Sequence, residues 1–148
     1  MLSPDLIHDF VYGTLKTGEI YYQHYRLQGQ VLDQPAIALG QLYALPVGYP
    51  AMTAGAGVVQ GFVLSFRHLE ILSSLDQLEG YHPHRPVQEN EYQRQQIQVY
   101  VPAQQFLSDQ QLLGSAWVYT MTVDRVEALG GVRILDGCWQ SQTGVQFL

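Results

Sequence analysis

The chain has 148 residues, 47% hydrophobic and 14% charged, a balance that suits a well-packed globule with a real core and reads as one domain over 1–148. Seven basic residues against 13 acidic ones leave a net charge of -6, and Lys16 is the only lysine, which argues against nucleic acid or an anionic membrane as a partner. The one cysteine, Cys138, excludes an internal disulfide and a multi-cysteine zinc site; the N-terminus carries no basic leader, and no apolar run nears the roughly 20 residues of a membrane helix, so a cytoplasmic protein is expected.

In chain order, residues 7–12 (Ile7, His8, Asp9, Phe10, Val11, Tyr12) read as a first strand, followed by a loop over 13–18 and a short helix over 19–27 with Tyr22, Tyr25 and Arg26 at helical spacing. Residues 36–45 read as a strand, and Pro46, Gly48 and Pro50 as a turn. Another strand covers 58–66, with Gly61 marking a bulge or a close backbone approach. Residues 67–80 read as an amphipathic helix stopped by Gly80. An irregular loop with Pro83 and Pro86 covers 81–90. Residues 92–101 alternate polar and apolar as a half-buried strand does, and 115–121 read as a further strand. In the tail, 122–148, a short helix pattern near 123–129 precedes Gly-rich and strand-like segments. Short strands with only two helices between them predict an α+β domain, with an antiparallel sheet or small barrel favoured over βαβ repetition.

Glu79 stands out from this pattern. At about 100° per residue, Leu69, Ile71, Leu72, Leu75 and Leu78 fill one arc of the 67–80 helix, and Glu79 projects inside that arc. Burial raises a carboxyl pKa, and the negative end of the helix dipole repels an anion there as well. Such a group suits a general base working near neutrality. If the helix ends one residue earlier, Glu79 turns to solvent instead.

The loop after the first strand is the second informative segment. Gly13 and Gly18 reproduce the outer glycines of a phosphate loop, but Glu19 and Ile20 stand where Lys and Ser/Thr must follow, so the cation for phosphate is missing. The segment reads instead as a strand end with exposed backbone N–H groups, which hold a carboxylate or oxyanion well, or as an ordinary glycine turn. Gly13 would let a ligand approach the backbone.

Six short motifs then occur in a telling order: Tyr12-Gly13-Thr14-Leu15, Tyr49-Pro50-Ala51-Met52, Val59-Gln60-Gly61, Leu75-Asp76-Gln77-Leu78-Glu79-Gly80, Tyr92-Gln93-Arg94 and Ala116-Trp117-Val118-Tyr119. In this the chain resembles the γ-glutamylcyclotransferase-like superfamily, and most of all its γ-glutamylamine cyclotransferase and AIG2-like branch, over residues 8–120; the tail 122–148 is left unassigned. The resemblance implies a small mixed or antiparallel β-barrel with flanking helices. It implies that backbone amides of Tyr12, Gly13, Thr14 and Leu15 hold the glutamyl head group of a small-molecule γ-glutamyl substrate. It also implies that Glu79, in the Leu-Asp-x-x-Glu pattern, is the catalytic acid/base, the residue that helix geometry singles out separately.

The reaction so implied is an intramolecular aminolysis: the α-amine of a γ-glutamyl group attacks its own γ-carbonyl, 5-oxoproline forms and an amine leaves. One carboxyl of raised pKa can remove the proton and return it, while the protein holds the glutamyl chain folded. No metal, cofactor or nucleophilic cysteine is needed, and the sequence offers none. Tyr92 and Tyr119 are auxiliary candidates for orienting Glu79 or the leaving group, or else core tyrosines with satisfied hydroxyls. Arg94 is expected to pair with Asp76 or another carboxylate. His82 and His84 read as a solvated loop, and Cys138 as an inert thiol. A non-catalytic binding module that kept the pocket, and a tailoring enzyme that removes a γ-glutamyl group from a specialised metabolite, stand as alternatives. The leaving amine is not named by the sequence.

Overall fold

The computed structural model describes residues 1–13, 30–102 and 111–140. The expected helix over 19–27, together with Thr14 and Leu15, lies outside the described residues. The elements in order are β1 (Ile7–Val11), β2 (Gln30–Ala44), β3 (Pro50–Phe66), α1 (Ile71–Leu78), a 3-10 turn (Val87–Glu89), β4 (Gln93–Tyr100), β5 (Leu112–Thr120), α2 (Val123–Ala128) and β6 (Val132–Arg133).

The strands run in the order β3-β1-β5-β4-β2-β6, and β3 also pairs with β2, so the first five strands join in a ring. Every pairing is antiparallel except β1 with β5, which is parallel through Asp9 and Trp117. The fold is thus the expected α+β arrangement: among the described residues, a mixed six-stranded sheet curled into a ring with two helices beside it.

β2 and β3 start earlier than the sequence pattern predicts, at Gln30 and Pro50 rather than at 36 and 58. The early part of β3 is rich in Ala and Gly, which have little strand propensity of their own. Pairing with β2 from Ala44↔Pro50 to Gln41↔Thr53 holds it extended regardless. The hairpin turn closes through Leu45 N–H to Tyr49 O at 3.0 Å and Gly48 N–H to Leu45 O at 3.0 Å, with Gly48 at φ 106°. Gly61 is a close approach, as expected: a Cβ there would sit 2.2 Å from the Val11 carbonyl oxygen.

Side chains alternate across the strands. Phe10, Leu42, Val59, Val63, Val99 and Val118 fill the ring, joined by Trp139 from the segment after β6. Val11, Leu64, Phe66, Tyr92 and Tyr119 face outward and meet Ile71, Leu72 and Leu75 of α1. Eight residues are too few for a helix to persist alone. Burying those three aliphatic side chains, each worth about 1.5–3 kcal/mol, is what holds α1 in place. The helix begins at Ile71, not at 67, because β3 runs through Phe66 and residues 67–70 make the turn out of the sheet; Leu69 is therefore exposed rather than part of the apolar arc.

Candidate active site

α1 delivers Glu79 to the edge of the ring. The helix ends at Leu78, one residue early, yet Glu79 does not turn away. Its N–H still bonds the Leu75 carbonyl at 2.9 Å, and Gly80 follows in the left-handed region at φ 63°. Gly80 N–H then reaches Gln77 O at 3.3 Å and Tyr81 N–H reaches Asp76 O at 2.9 Å. This is a paired C-terminal cap, which satisfies the last carbonyls of the helix and fixes the direction in which Glu79 leaves it. Gly80 suits the position twice over, since a Cβ there would also sit 2.9 Å from Glu91 Cβ.

Glu79 opens onto a pocket of about 280 Å³ bordered by Asp9, Tyr12, Gly13, Tyr49, Pro50, Leu78, Glu91, Tyr92 and Tyr119 among others. Burial, reinforced by the charge of Glu91, pushes its carboxyl up to about 8. Glu91 is placed by its own backbone, whose N–H donates to the Gly80 carbonyl at 2.9 Å. Its carboxylate accepts the Tyr49 hydroxyl at 2.5 Å. Burial and that hydrogen bond push Tyr49 up to about 12, so it stays a donor.

Beneath the pocket, Asp76 anchors the same helix. Arg94 on β4 donates from Nη1 to both Asp76 oxygens, at 2.9 and 2.8 Å, which is the pairing expected of it. Tyr119 on β5 donates its hydroxyl to Asp76 Oδ1 at 2.6 Å. The guanidinium also lies 4.8 Å from the Trp117 ring centre and 5.4 Å from that of Tyr81. Asp76 and Glu79 are one helical turn apart, so this anchor sets how α1 sits and thereby where Glu79 points.

Of the residues singled out by sequence, Tyr12, Gly13, Glu79, Tyr92 and Tyr119 come together at this pocket. Thr14 and Leu15 lie outside the described residues. The hydroxyls of the tyrosines are engaged structurally. Tyr12 donates to the Tyr119 carbonyl and accepts from Met52 N–H at 3.2 Å, tying the end of β1 to β5 and β3. Tyr92 donates to the Pro50 carbonyl at 2.6 Å, and Tyr119 to Asp76. Gly13 packs against the Pro50 ring, where a Cβ would come within 2.7 Å of Cγ.

His82 and His84 are exposed, as expected, and no group of three metal-ligating side chains occurs among the described residues. The 81–91 loop is instead organised by buried Asn90, whose Oδ1 accepts His82 N–H and Arg85 Nε at 2.9 Å each. No helix among the described residues is long and apolar enough to cross a membrane.

Sequence reading missed three pocket residues: Asp9, Tyr49 and Glu91. The signal for Asp9 was present, a carboxylate in the middle of β1, just before Phe10 and Val11. Tyr49 sat in a motif but without a role, and nothing local ties it to Glu91, 42 residues on. The described pocket lining carries three carboxyls and no Lys, Arg or His.

A family model described as gamma-glutamyl cyclotransferase, AIG2-like, matches residues 10–141. Among solved structures, an AIG2-like protein from Mus musculus aligns with a TM-score of 0.65 at 22% identity, covering 91% of this chain and 88% of that one. The protein YkqA from Bacillus subtilis aligns with a TM-score of 0.61 at 21% identity, over 96% of this chain but only 42% of its own length. An Arabidopsis thaliana protein aligns with a TM-score of 0.61 at 19% identity, covering 99% of this chain and 85% of its own. At these identities the likeness is one of fold. A search of curated proteins returns no match to the chain.

Proposed function

For a chain that belongs to the gamma-glutamyl cyclotransferase, AIG2-like family, we propose the activity of a cyclotransferase that releases 5-oxoproline from a γ-glutamyl amine or γ-glutamyl peptide, with Glu79 as its general acid/base. The observation that carries the reading is a carboxyl at the pocket edge, aimed by a helix cap and pushed up to about 8 by burial and Glu91. The α-ammonium of a γ-glutamyl group lies beside its free α-carboxylate and holds its proton more tightly than a peptide N-terminus does. A base raised toward 8 comes closer to matching it than an ordinary carboxylate, which favours proton transfer.

The Glu79 carboxylate takes a proton from the α-ammonium. The freed amine closes on the γ-carbonyl carbon, a five-membered ring forms and the carbonyl oxygen takes up negative charge. The carbon–nitrogen bond to the leaving group breaks as that nitrogen gains a proton, which the same carboxyl can return, and the ring nitrogen gives up its second proton to the carboxylate so regenerated, which passes it to water. Ring closure is unimolecular, so the pocket contributes by holding the chain folded. The substrate's α-carboxylate is assigned to backbone N–H groups of the segment Tyr12 to Leu15, as the family resemblance implies, and the described lining offers no cationic side chain to compete for it. Acidic Glu79 and Glu91 favour a ligand that brings an ammonium.

The test is release of 5-oxoproline by the purified protein from γ-glutamyl-ε-lysine, γ-glutamyl-alanine, glutathione and a γ-glutamyl monoamine. Turnover of one or more supports the activity, and the preferred member names the leaving amine. Binding of these compounds without any release would leave a binding module in its place.

A further inference from the structure

Asp9 is the oddest group in the molecule. It lies in the middle of β1, paired to Leu64 of β3 and Trp117 of β5, and none of its surface reaches solvent. Among the described residues, neither of its carboxyl oxygens has a hydrogen-bond partner. Leaving a buried carboxyl unsatisfied costs about 1–3 kcal/mol even when it is neutral, and far more when it is charged. A fold that keeps such a group is using it for something else.

Its position says for what. Asp9 borders the same pocket as Glu79. On β1 it shares the outward face with Val11, which packs toward α1, while Phe10 turns into the ring. The charged and titratable groups around it are Glu79 and Asp76 on α1, Arg94 on β4, Tyr119 on β5, and Tyr12 after β1. Arg94 makes no hydrogen bond to Asp9 and donates from Nη1 to both oxygens of Asp76, so its charge offsets only part of the repulsion from Glu79 and Asp76. Burial first, then the nearby charges of Glu79 and Asp76, hold Asp9 well above the usual carboxylate range, and a carboxyl sealed from water with no donor to either oxygen is favoured in its neutral, protonated form. Asp9 is sealed from water while Glu79 stands at the pocket edge, and two carboxyls in such unlike surroundings at one pocket can divide the acid and base roles.

We propose that Asp9 is a second catalytic carboxyl, the proton donor to the departing nitrogen, dividing with Glu79 the two transfers that one residue would otherwise perform in turn. This rests on the cyclotransferase reading. Glu79 takes one proton from the α-ammonium, and the new carbon–nitrogen bond forms. Asp9 gives its proton to the leaving nitrogen as the old carbon–nitrogen bond breaks and the carbonyl is restored. The ring nitrogen returns its surplus proton to Asp9, whose burial makes the anion a strong acceptor, and Glu79 releases its proton to water. Asp9 ends as it began, and the products are 5-oxoproline and a free amine.

The experiment compares Asp9→Asn, Asp9→Val and Glu79→Gln on two substrates: a γ-glutamyl alkylamide, whose nitrogen must be protonated to leave, and γ-glutamyl-4-nitroanilide, whose nitrogen leaves with little help. Both Asp9 variants are expected to lose about a hundredfold in kcat on the alkylamide, with KM within about threefold and less than tenfold loss on the anilide. Glu79→Gln is expected to lose equally on both. Asp9→Val also tests folding: with an unpartnered carboxyl removed, its Tm at neutral pH is expected at or above wild type. Alkylamide turnover that survives in either folded Asp9 variant, or equal losses on both substrates, would overturn the proposal while leaving the cyclotransferase intact. A silent wild type would overturn both, and is told apart because no variant is needed to see it.

Discussion

The Glu91 amide bonds the Gly80 carbonyl at 2.9 Å, and this backbone contact sets a second carboxylate beside Glu79. The 81–91 loop thus controls the proton affinity of a residue on another element. Replacing Glu91 by Gln removes the like charge and leaves burial as the remaining cause. The basic group seen in a pH–kcat/KM profile, expected near 8 in the wild type, should then move to lower pH. Because Glu91 is only half-buried, solvent screens part of its charge, and raising salt should move the wild-type profile in the same direction. An unchanged profile in the variant would leave burial alone as the cause.

Stability should carry the same signature. The folded-state pKa of Glu79 lies above its unfolded value of 4.5, at about 8, so the folded chain binds more protons than the unfolded one between those limits. Stability from this group is complete below the unfolded pKa and is lost as pH rises toward 8. Buried Asp9 acts in the same direction. Glu79→Gln is therefore expected to flatten the fall in unfolding free energy between about pH 5 and 8, and to be more stable than wild type at pH 8 by an amount on the order of a few kcal/mol at most. Denaturant unfolding at three pH values checks this.

The Asp76–Arg94 pair is expected to matter for both stability and turnover. Asp76 is 14% and Arg94 18% exposed, so the pair is largely desolvated, and Tyr119 shares the same carboxylate. Arg94→Met strands Asp76 with the tyrosine alone and should cost about 2–4 kcal/mol. The companion Asp76→Asn, which keeps the Tyr119 contact, should cost less. In a double-mutant cycle the two losses should fall short of additive, since each deletes the same contact. Loss of kcat at unchanged KM in the milder variant would show that the pair acts through the aim of Glu79.

What was legible in the sequence is uneven for physical reasons. Glu79 could be read because helix period and apolar neighbours are local, although the helix boundary was one residue off and its start four. The cap explains why that error did no harm: Glu79 is held by the Gly80 turn, not by another helical residue. The pairing of Arg94 with Asp76 was likewise foreseeable from a strand and a helix each read correctly. The ring closure was not, since the parallel β1–β5 contact and the long Ala- and Gly-rich start of β3 depend on partners far along the chain. Asp9 was overlooked because a short strand shows no local sign of which face is covered, and its burial depends on β3, β5 and the elements packed on them, far along the chain. The Tyr49–Glu91 contact has no local trace at all.

The most direct measurement of the central claim is kcat for 5-oxoproline release by wild type and Glu79→Gln on the best substrate, with ligand-induced thermal stabilisation recorded for both. Loss of at least about a hundredfold in kcat, with the stabilisation kept, is the expected result, because the amide preserves the shape of the pocket but cannot accept the proton. Wild-type-like turnover by Glu79→Gln would contradict it, and the base of the reaction would then have to be sought elsewhere in the pocket.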